Sequence, residues 1–249
     1  MSEPTITTEE TAAEAVAVNP FSRLISVITE PSAAMRGAIQ KPAQWWVPLV
    51  LTIIGVLIFT AIAGDVVRDF SLQKMQEQFT QMVTDGRLTQ EQADTIYQKQ
   101  SQGALMTIGM YLGPIINSFI FYFVLTLLAL LVGNVILGGN MKFGHYWAII
   151  WWSSVIGFIS MVISGILMKI TGDIYGAQLG LGILTKSDPT SVAHRILSAF
   201  DIFRIWQGIV AGIGVAIAAK VSNSKGIIWM LVVFLGLTIV LSLVFKTAL

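Results

Sequence analysis

The chain has 249 residues, of which 55% are hydrophobic and only 12% are charged, whereas an ordinary soluble domain carries about a quarter charged residues. Its formal net charge is +1, so it lacks the broad basic field that attracts phosphates, and we expect no nucleic-acid partner. It contains no cysteine, which excludes disulfides, thiolate metal sites, iron–sulfur clusters and a cysteine nucleophile.

The apolar residues cluster in runs of about 20, the length that a helix needs to cross about 30 Å of hydrocarbon. We therefore predict an all-α fold, a polytopic membrane helix bundle with five transmembrane helices and additional amphipathic helices. Residues 1–18 are rich in Thr, Glu and Ala and contain no Lys or Arg. A secretory signal needs a basic start and an apolar stretch, so this segment predicts a disordered tail.

Residues 19–44 predict two short amphipathic helices that lie on the membrane surface. Asn19 and Pro20 form a typical helix start, and Pro31 ends the first helix and can begin the second. The apolar side chains of the first helix recur at helical spacing, at Phe21, Leu24, Ile25 and Ile28. Such helices suit the membrane interface. A soluble stub that packs on the spans is the alternative.

Residues 45–249 predict one membrane domain. Its five spans cover about residues 45–63, 104–137, 146–170, 202–221 and 227–245. Aromatic side chains that prefer the headgroup level open the first and third spans, at Trp45, Trp46, Tyr146, Trp147, Trp151 and Trp152. We expect these rings to form an interface belt and to contribute to packing.

Residues 70–102, between the first two spans, predict a helical hairpin outside the bilayer. Asp85 and Gly86 make its turn, and Thr89 with Gln92 has the spacing of a capping box. After the third span, Asp188 and Pro189 predict the start of a further amphipathic helix.

The sequence predicts no catalytic, cofactor or metal site. His145 and His194 lack the spacing of metal ligands, and we expect both to be solvated or interfacial. Serines in the third span have no buried His, Lys or carboxylate within the same span to activate them, at Ser153, Ser154, Ser160 and Ser164. We therefore expect a protein that is not an enzyme.

Three residues of the second span are candidates for a kink or a polar path. Pro114 removes a backbone donor and predicts a bend. Asn117 and Asn134 are polar carboxamides without a charged neighbour in the span. Hydrogen bonds between helices are one interpretation of the two carboxamides. A path along a broken helix, as in a permease or a lipid-handling protein, is the other.

Two glycine pairs have the spacing that lets helix backbones approach closely: Gly109 with Gly113, and Gly208 with Gly212. They predict packing either inside the bundle or at a dimer face. Lys142 and Lys225 lie in short loops without acidic residues, on the side of the amino terminus. The positive-inside rule therefore predicts a cytoplasmic amino terminus.

The order of these features resembles the bacterial branch of the Yip family, membrane proteins named for their interaction with Ypt/Rab GTPases. The likeness covers about residues 19–245. It is carried by Asn19-Pro20-Phe21 with Pro31, by Phe143 to Ser154, and by Asp201 to Trp206 before a glycine-rich span. The acidic-Leu-Tyr-Gly-Pro signature of the eukaryotic members is missing before the first span, so Rab binding does not carry over.

The resemblance implies five spans, a cytoplasmic amino-terminal segment, a place in the plasma membrane of a bacterium and a role in binding partners or organising membranes. Our leading hypothesis is a non-catalytic membrane protein that contacts the lipid bilayer and either other membrane proteins or copies of itself. A permease or lipid-handling protein with a path along the kinked second span is the alternative.

Overall fold

The computed structural model describes residues 19–101, 104–185, 188 and 190–244, so the predicted tail at 1–18 lies outside the described residues. Ten α-helices are present in these ranges. They are α1 Pro20–Thr29, α2 Pro31–Gln40, α3 Trp46–Thr84, α4 Gln90–Ser101, α5 Ala104–Leu130, α6 Phe143–Ser153, α7 Val155–Thr171, α8 Val192–Ser198, α9 Ile202–Ala219 and α10 Asn223–Val244. Shorter 3-10 or π turns lie at Pro42–Trp45, Leu131–Ile136, Ile174–Ala177 and Leu181–Thr185.

The all-α polytopic bundle is confirmed. Five helical segments are long and apolar enough to cross a bilayer, at Pro42–Thr84, Met106–Ile136, Phe143–Thr171, Ile202–Ala219 and Asn223–Val244. The third of these combines α6 and α7, which meet at Ser154. Because successive spans alternate in direction, α1 and α2 share one face of the bundle with the loops before α6 and before α10. We call this the proximal face, and the opposite face, with α4 and the turns at residues 174–185, the distal face.

The first span and the first arm of the hairpin form one continuous helix. α3 has 39 residues, so it is about 58 Å long and extends well beyond a bilayer core of about 30 Å. The turn follows at Asp85 and at Gly86, whose φ is +71°. Thr89 and Gln92 then make both reciprocal capping hydrogen bonds before α4, at 3.0 and 3.2 Å.

The two amino-terminal helices differ in their surroundings. α2 packs against α6 and α9, and its Ala34 and Met35 are fully buried. α1 buries Arg23 and Val27 but leaves Phe21 and other apolar side chains exposed. The alternative of a segment packed on the spans therefore describes α2, whereas α1 keeps an apolar face that is available to lipid.

Arg23 attaches α1 to the third span. Its guanidinium lies 4.6 Å from the ring centroid of Trp152, close enough for a cation–π interaction. Burial lowers the pKa of Arg23 to about 10. The side chain therefore remains charged near neutral pH, and the interaction persists there.

α9 lies at the centre of the bundle and contacts α2, α6, α7 and α10. Its small residues allow this: a Cβ atom on Gly212 would lie 2.5 Å from Ile227 Cα and 2.9 Å from the Gly226 carbonyl oxygen of α10. A Cβ atom on Gly208 would lie 3.0 Å from a methyl carbon of Leu231. The two last spans thus approach each other backbone to backbone.

The aromatic side chains at the start of the third span are interior. Tyr146, Trp151 and Trp152 are fully buried, and Trp147 is 9% exposed. They have the packing role that the sequence predicts, whereas the expectation of an interface belt is wrong, because α2, α5 and α9 surround α6 and cover these rings. Trp45, from the turn before α3, joins them, with its ring centroid 5.5 Å from that of Trp147.

Candidate functional site

Two of the cavities at the surface of the described bundle bear on function, and the first is a lateral groove between α3 and α5. Its volume is about 340 Å³. One wall consists of α3 residues, at Phe59, Thr60, Gly64, Val67, Ser71 and Met75. The other consists of α5 residues, at Met106, Gly109, Met110 and Pro114. Small and flexible side chains on both walls produce a shallow, mainly apolar groove.

One face of α5 continues this wall without any covering element. Gly109, Gly113 and Asn117 are four residues apart, so they lie on the same side of the helix. Apart from the backbone of α5 itself and the adjacent residues, no heavy atom of the described residues lies within 4 Å of the Cβ position of either glycine. Asn117 is exposed, and its carboxamide makes no hydrogen bond with the described residues. The structure therefore places this glycine pair outside the packed interior.

Asn134 lies at the other end of the second span and has a different environment. Its carboxamide accepts hydrogen bonds from the Tyr146 hydroxyl at 2.7 Å and from Met141 N at 3.1 Å, and it donates to Met141 O at 2.9 Å. These bonds hold the proximal loop between α5 and α6. Asn134 lies 20 residues after Pro114, which is about 30 Å along a helix. The structure thus does not bring the two together in one groove.

The second cavity, the distal pocket, lies between α3, α7, α9 and the turns at residues 174–185. Its volume is about 400 Å³. The polar side chains that line it are Ser160, Ser164, Gln178, Ser198, Asp201, Arg204 and Gln207. Its apolar lining includes Phe59, Met161, Met168 and Phe203. The lining of the pocket is therefore part polar and part apolar.

His194 is fully buried and lies behind the lining of the distal pocket, where it contacts the lining residue Gln178. The expectation of a solvated or interfacial histidine is wrong here, because α8 turns this ring inward under the turn at residues 181–185. Nε2 of His194 lies 2.8 Å from Gln178 Nε2, and Nδ1 lies 3.1 Å from Thr185 Oγ1. Thr185 Oγ1 also donates to Gly182 O at 3.2 Å, so the ring, Thr185 and the turn at residues 181–185 form one hydrogen-bonded cluster.

Gln178 connects His194 to the pocket lining. Its Nε2 group also donates to Ser198 Oγ at 3.3 Å, whereas its buried Oε1 has no hydrogen-bond partner among the described residues. α8 begins after Ser191, which caps His194 N, and not after Asp188 as predicted. Pro189 lies outside the described residues.

Asp201 and Arg204 bring opposite charges into the distal pocket. Oδ1 of Asp201 caps α9 by accepting from Phe203 N at 2.9 Å and from Arg204 N at 3.2 Å. Both residues are partly buried. The sequence places them at the mouth of the fourth span, but it does not indicate a pocket, because the other walls come from distant parts of the chain.

Ser160 and Ser164 line the distal pocket, and the charged side chains that line it with them are Asp201 and Arg204. Within the described residues no group of three or more His, Asp or Glu side chains is placed to hold a metal ion.

The comparisons with known proteins agree with this architecture. The family model described as "Yip1 domain" matches residues 25–245. The chain belongs to the Yip1 domain family. It is similar to the membrane protein YknW of Bacillus subtilis (strain 168), with 26% identity over 223 residues that make up 88% of each chain. No solved structure gives a significant match. The Yip resemblance predicted from the sequence is thereby confirmed.

Proposed function

We propose that this Yip1-domain protein is a non-catalytic membrane scaffold that binds a transmembrane helix of another membrane protein in the groove between α3 and α5. The observation that carries the proposal is the uncovered α5 face of Gly109, Gly113 and Asn117 beside that groove. An exposed carboxamide within a membrane span has no water to bind, so a hydrogen-bonding helix is the partner that fits it.

The walls of the groove favour a helix as its occupant. Gly64 on α3 and Gly109 on α5 line the groove, and small residues let a third backbone approach closely. The methionines along the walls, Met75, Met106 and Met110, are flexible and can adapt to the shape of a partner. A hydrogen bond from Asn117 would contribute about 0.6–2 kcal/mol and would fix the register of the incoming helix.

Site-specific photo-crosslinking in native membranes tests this proposal. A photoreactive residue at Met110, on the groove wall, should give a discrete protein adduct. The same residue at Val232, on an exposed part of α10, should give none. Gly113→Leu fills the space beside the groove and should abolish the Met110 adduct, while Gly236→Leu should not, since the Cβ position of Gly236 is also open.

The products distinguish the occupants. An adduct of twice the mass of the chain would identify a second copy in the groove and would replace the proposed partner. Adducts to lipid alone at Met110, or a protein adduct that persists in the Gly113→Leu variant, would contradict helix binding.

A second candidate, lipid handling, is favoured by the presence of Pro114 in the groove wall. A proline opens the helix backbone, and an apolar groove open to the bilayer can admit an acyl chain. Reconstituted vesicles test it: lipid movement that is lost in the Pro114→Ala, Asn117→Leu double variant would favour this function. Absence of movement across a lipid panel would leave the scaffold function.

A further inference from the structure

The distal pocket contains polar groups at a depth where a bilayer supplies few partners for them. Asp201 caps the start of the fourth span, and Gln207 lies six residues further along α9, which is about 9 Å deeper. The pocket lining includes both residues. It therefore extends from the headgroup level into the acyl-chain region.

Several of these polar groups have unused hydrogen-bonding capacity. The hydroxyls of Ser160 and Ser164 make no hydrogen bond with the described residues. In the second span, Ser118 and Thr126 donate to a carbonyl one turn earlier. Ser160 and Ser164 are partly exposed and line the pocket, so their hydroxyls are open to a polar ligand. Gln178 Oε1 is buried and has no hydrogen-bond partner among the described residues.

The charges define the chemistry of that ligand. The planar guanidinium of Arg204 is suited to bind a phosphate through two hydrogen bonds. Oδ1 of Asp201 is engaged in the helix cap, whereas its second oxygen makes no hydrogen bond with the described residues. This carboxylate suits an ammonium group and opposes a ligand with a net negative charge.

We propose that the distal pocket binds the phosphoethanolamine headgroup of a bilayer phospholipid, with the phosphate at Arg204 and the ammonium at Asp201. The hydroxyls of Ser160 and Ser164 donate to phosphate or glycerol oxygens. Phe59, Met161 and Met168 line the apolar part of the pocket and contact the first carbons of the acyl chains.

The size of the pocket agrees with this ligand. A volume of about 400 Å³ lies within the range of about 300–1,000 Å³ that is typical of small-molecule sites. The pocket does not overlap the α5 face on which the scaffold function rests, although Phe59 lines both cavities. Lipid binding and helix binding can therefore be tested separately.

Native mass spectrometry of the full chain in detergent is the test, with short-chain phosphatidylethanolamine, phosphatidylcholine and phosphatidylglycerol added in turn. The wild type should retain one phosphatidylethanolamine in preference to the other two lipids. Arg204→Gln and the Ser160→Ala, Ser164→Ala double variant should each weaken this binding by about tenfold or more. Arg68→Gln, an exposed arginine of the same distal face, should leave it unchanged.

Asp201→Asn keeps a good helix cap and removes only the charge. It should reverse the preference, so that phosphatidylglycerol binds at least as well as phosphatidylethanolamine. This variant keeps the test decisive if Arg204→Gln fails to fold, which a thermal unfolding scan would show.

Three results would overturn the proposal. The first is equal retention of all three lipids by the wild type, and the second is an unchanged preference in Asp201→Asn. The third is binding of soluble glycerophosphoethanolamine as tight as that of the lipid, which would assign the pocket to a soluble phosphate ester. Loss of the Met110 crosslink alone, with lipid binding intact, would affect only the scaffold function.

Discussion

The two asparagines of the second span have the same side chain but different environments, which determine whether the carboxamide is hydrogen-bonded. Asn134 makes three hydrogen bonds to the loop and to Tyr146, whereas Asn117 is exposed and makes none with the described residues. The sequence predicts polar contacts for both. The sequence alone cannot distinguish the bonded asparagine from the exposed one, because the partners of Asn134 depend on how the chain turns back after α5.

Asn134→Leu should destabilise the isolated protein, because it removes three hydrogen bonds and leaves the Tyr146 hydroxyl unpaired. We expect a loss of about 2 kcal/mol in the free energy of unfolding. Unfolding of the purified protein in detergent by denaturant measures it.

Asn117→Leu is the matched control for that measurement, since it makes the same exchange in the same span. It should leave the stability in detergent unchanged within about 0.5 kcal/mol. Equal losses in the two variants would mean that Asn134 does not hold the loop.

At the scale of elements, the sequence predicts where the helices lie along the chain better than it predicts which helices pack against each other. Long apolar runs predict the five spans because the cost of exposing them to water depends on local composition. The position of α2 is different. The same apolar pattern suits a helix that contacts lipid and a helix that contacts protein. The amphipathic pattern therefore does not predict that Met35 lies buried beside α9.

Gly212→Ala should separate α9 from α10, because the added Cβ atom meets the backbone of Ile227 at 2.5 Å and a backbone cannot move as a side chain does. We expect a loss of about 1–3 kcal/mol of stability, measured by denaturant unfolding in detergent.

Gly236→Ala in α10 provides the comparison, since no other helix of the described residues comes within 4 Å of its Cβ position. Alanine favours a helix by up to about 1 kcal/mol over glycine, so this variant should be neutral or more stable. The contact between α9 and α10 would be refuted if both alanines had the same effect.

At the scale of the whole molecule, the two faces of the bundle differ in charge. Among the described residues, the proximal face carries six basic side chains and one acidic, Glu30. The basic ones are Arg23, Arg36, Lys41, Lys142, Lys220 and Lys225. The distal face mixes both signs. The amphipathic segment α1–α2 thus strengthens the charge bias that the short loops alone predict, and we propose a cytoplasmic proximal face.

The absence of cysteine from the sequence makes this orientation simple to measure. Two exposed positions serve for labelling: Asn140, in the proximal loop before α6, and Gln98, on α4. Each is replaced in turn, as Asn140→Cys and Gln98→Cys. In intact cells, a membrane-impermeant maleimide should label Gln98→Cys alone. After permeabilisation it should label both. Labelling of Asn140→Cys in intact cells would reverse the proposed orientation.

The uninterrupted α3 has a mechanical consequence for this molecule. The middle of the helix forms a wall of the groove, and its carboxyl end leads to the hairpin turn at Asp85, outside the membrane. Because the helix is continuous, a change of tilt at the turn is transmitted to the groove wall. A partner that binds the hairpin turn in the aqueous phase would therefore change the width of the groove.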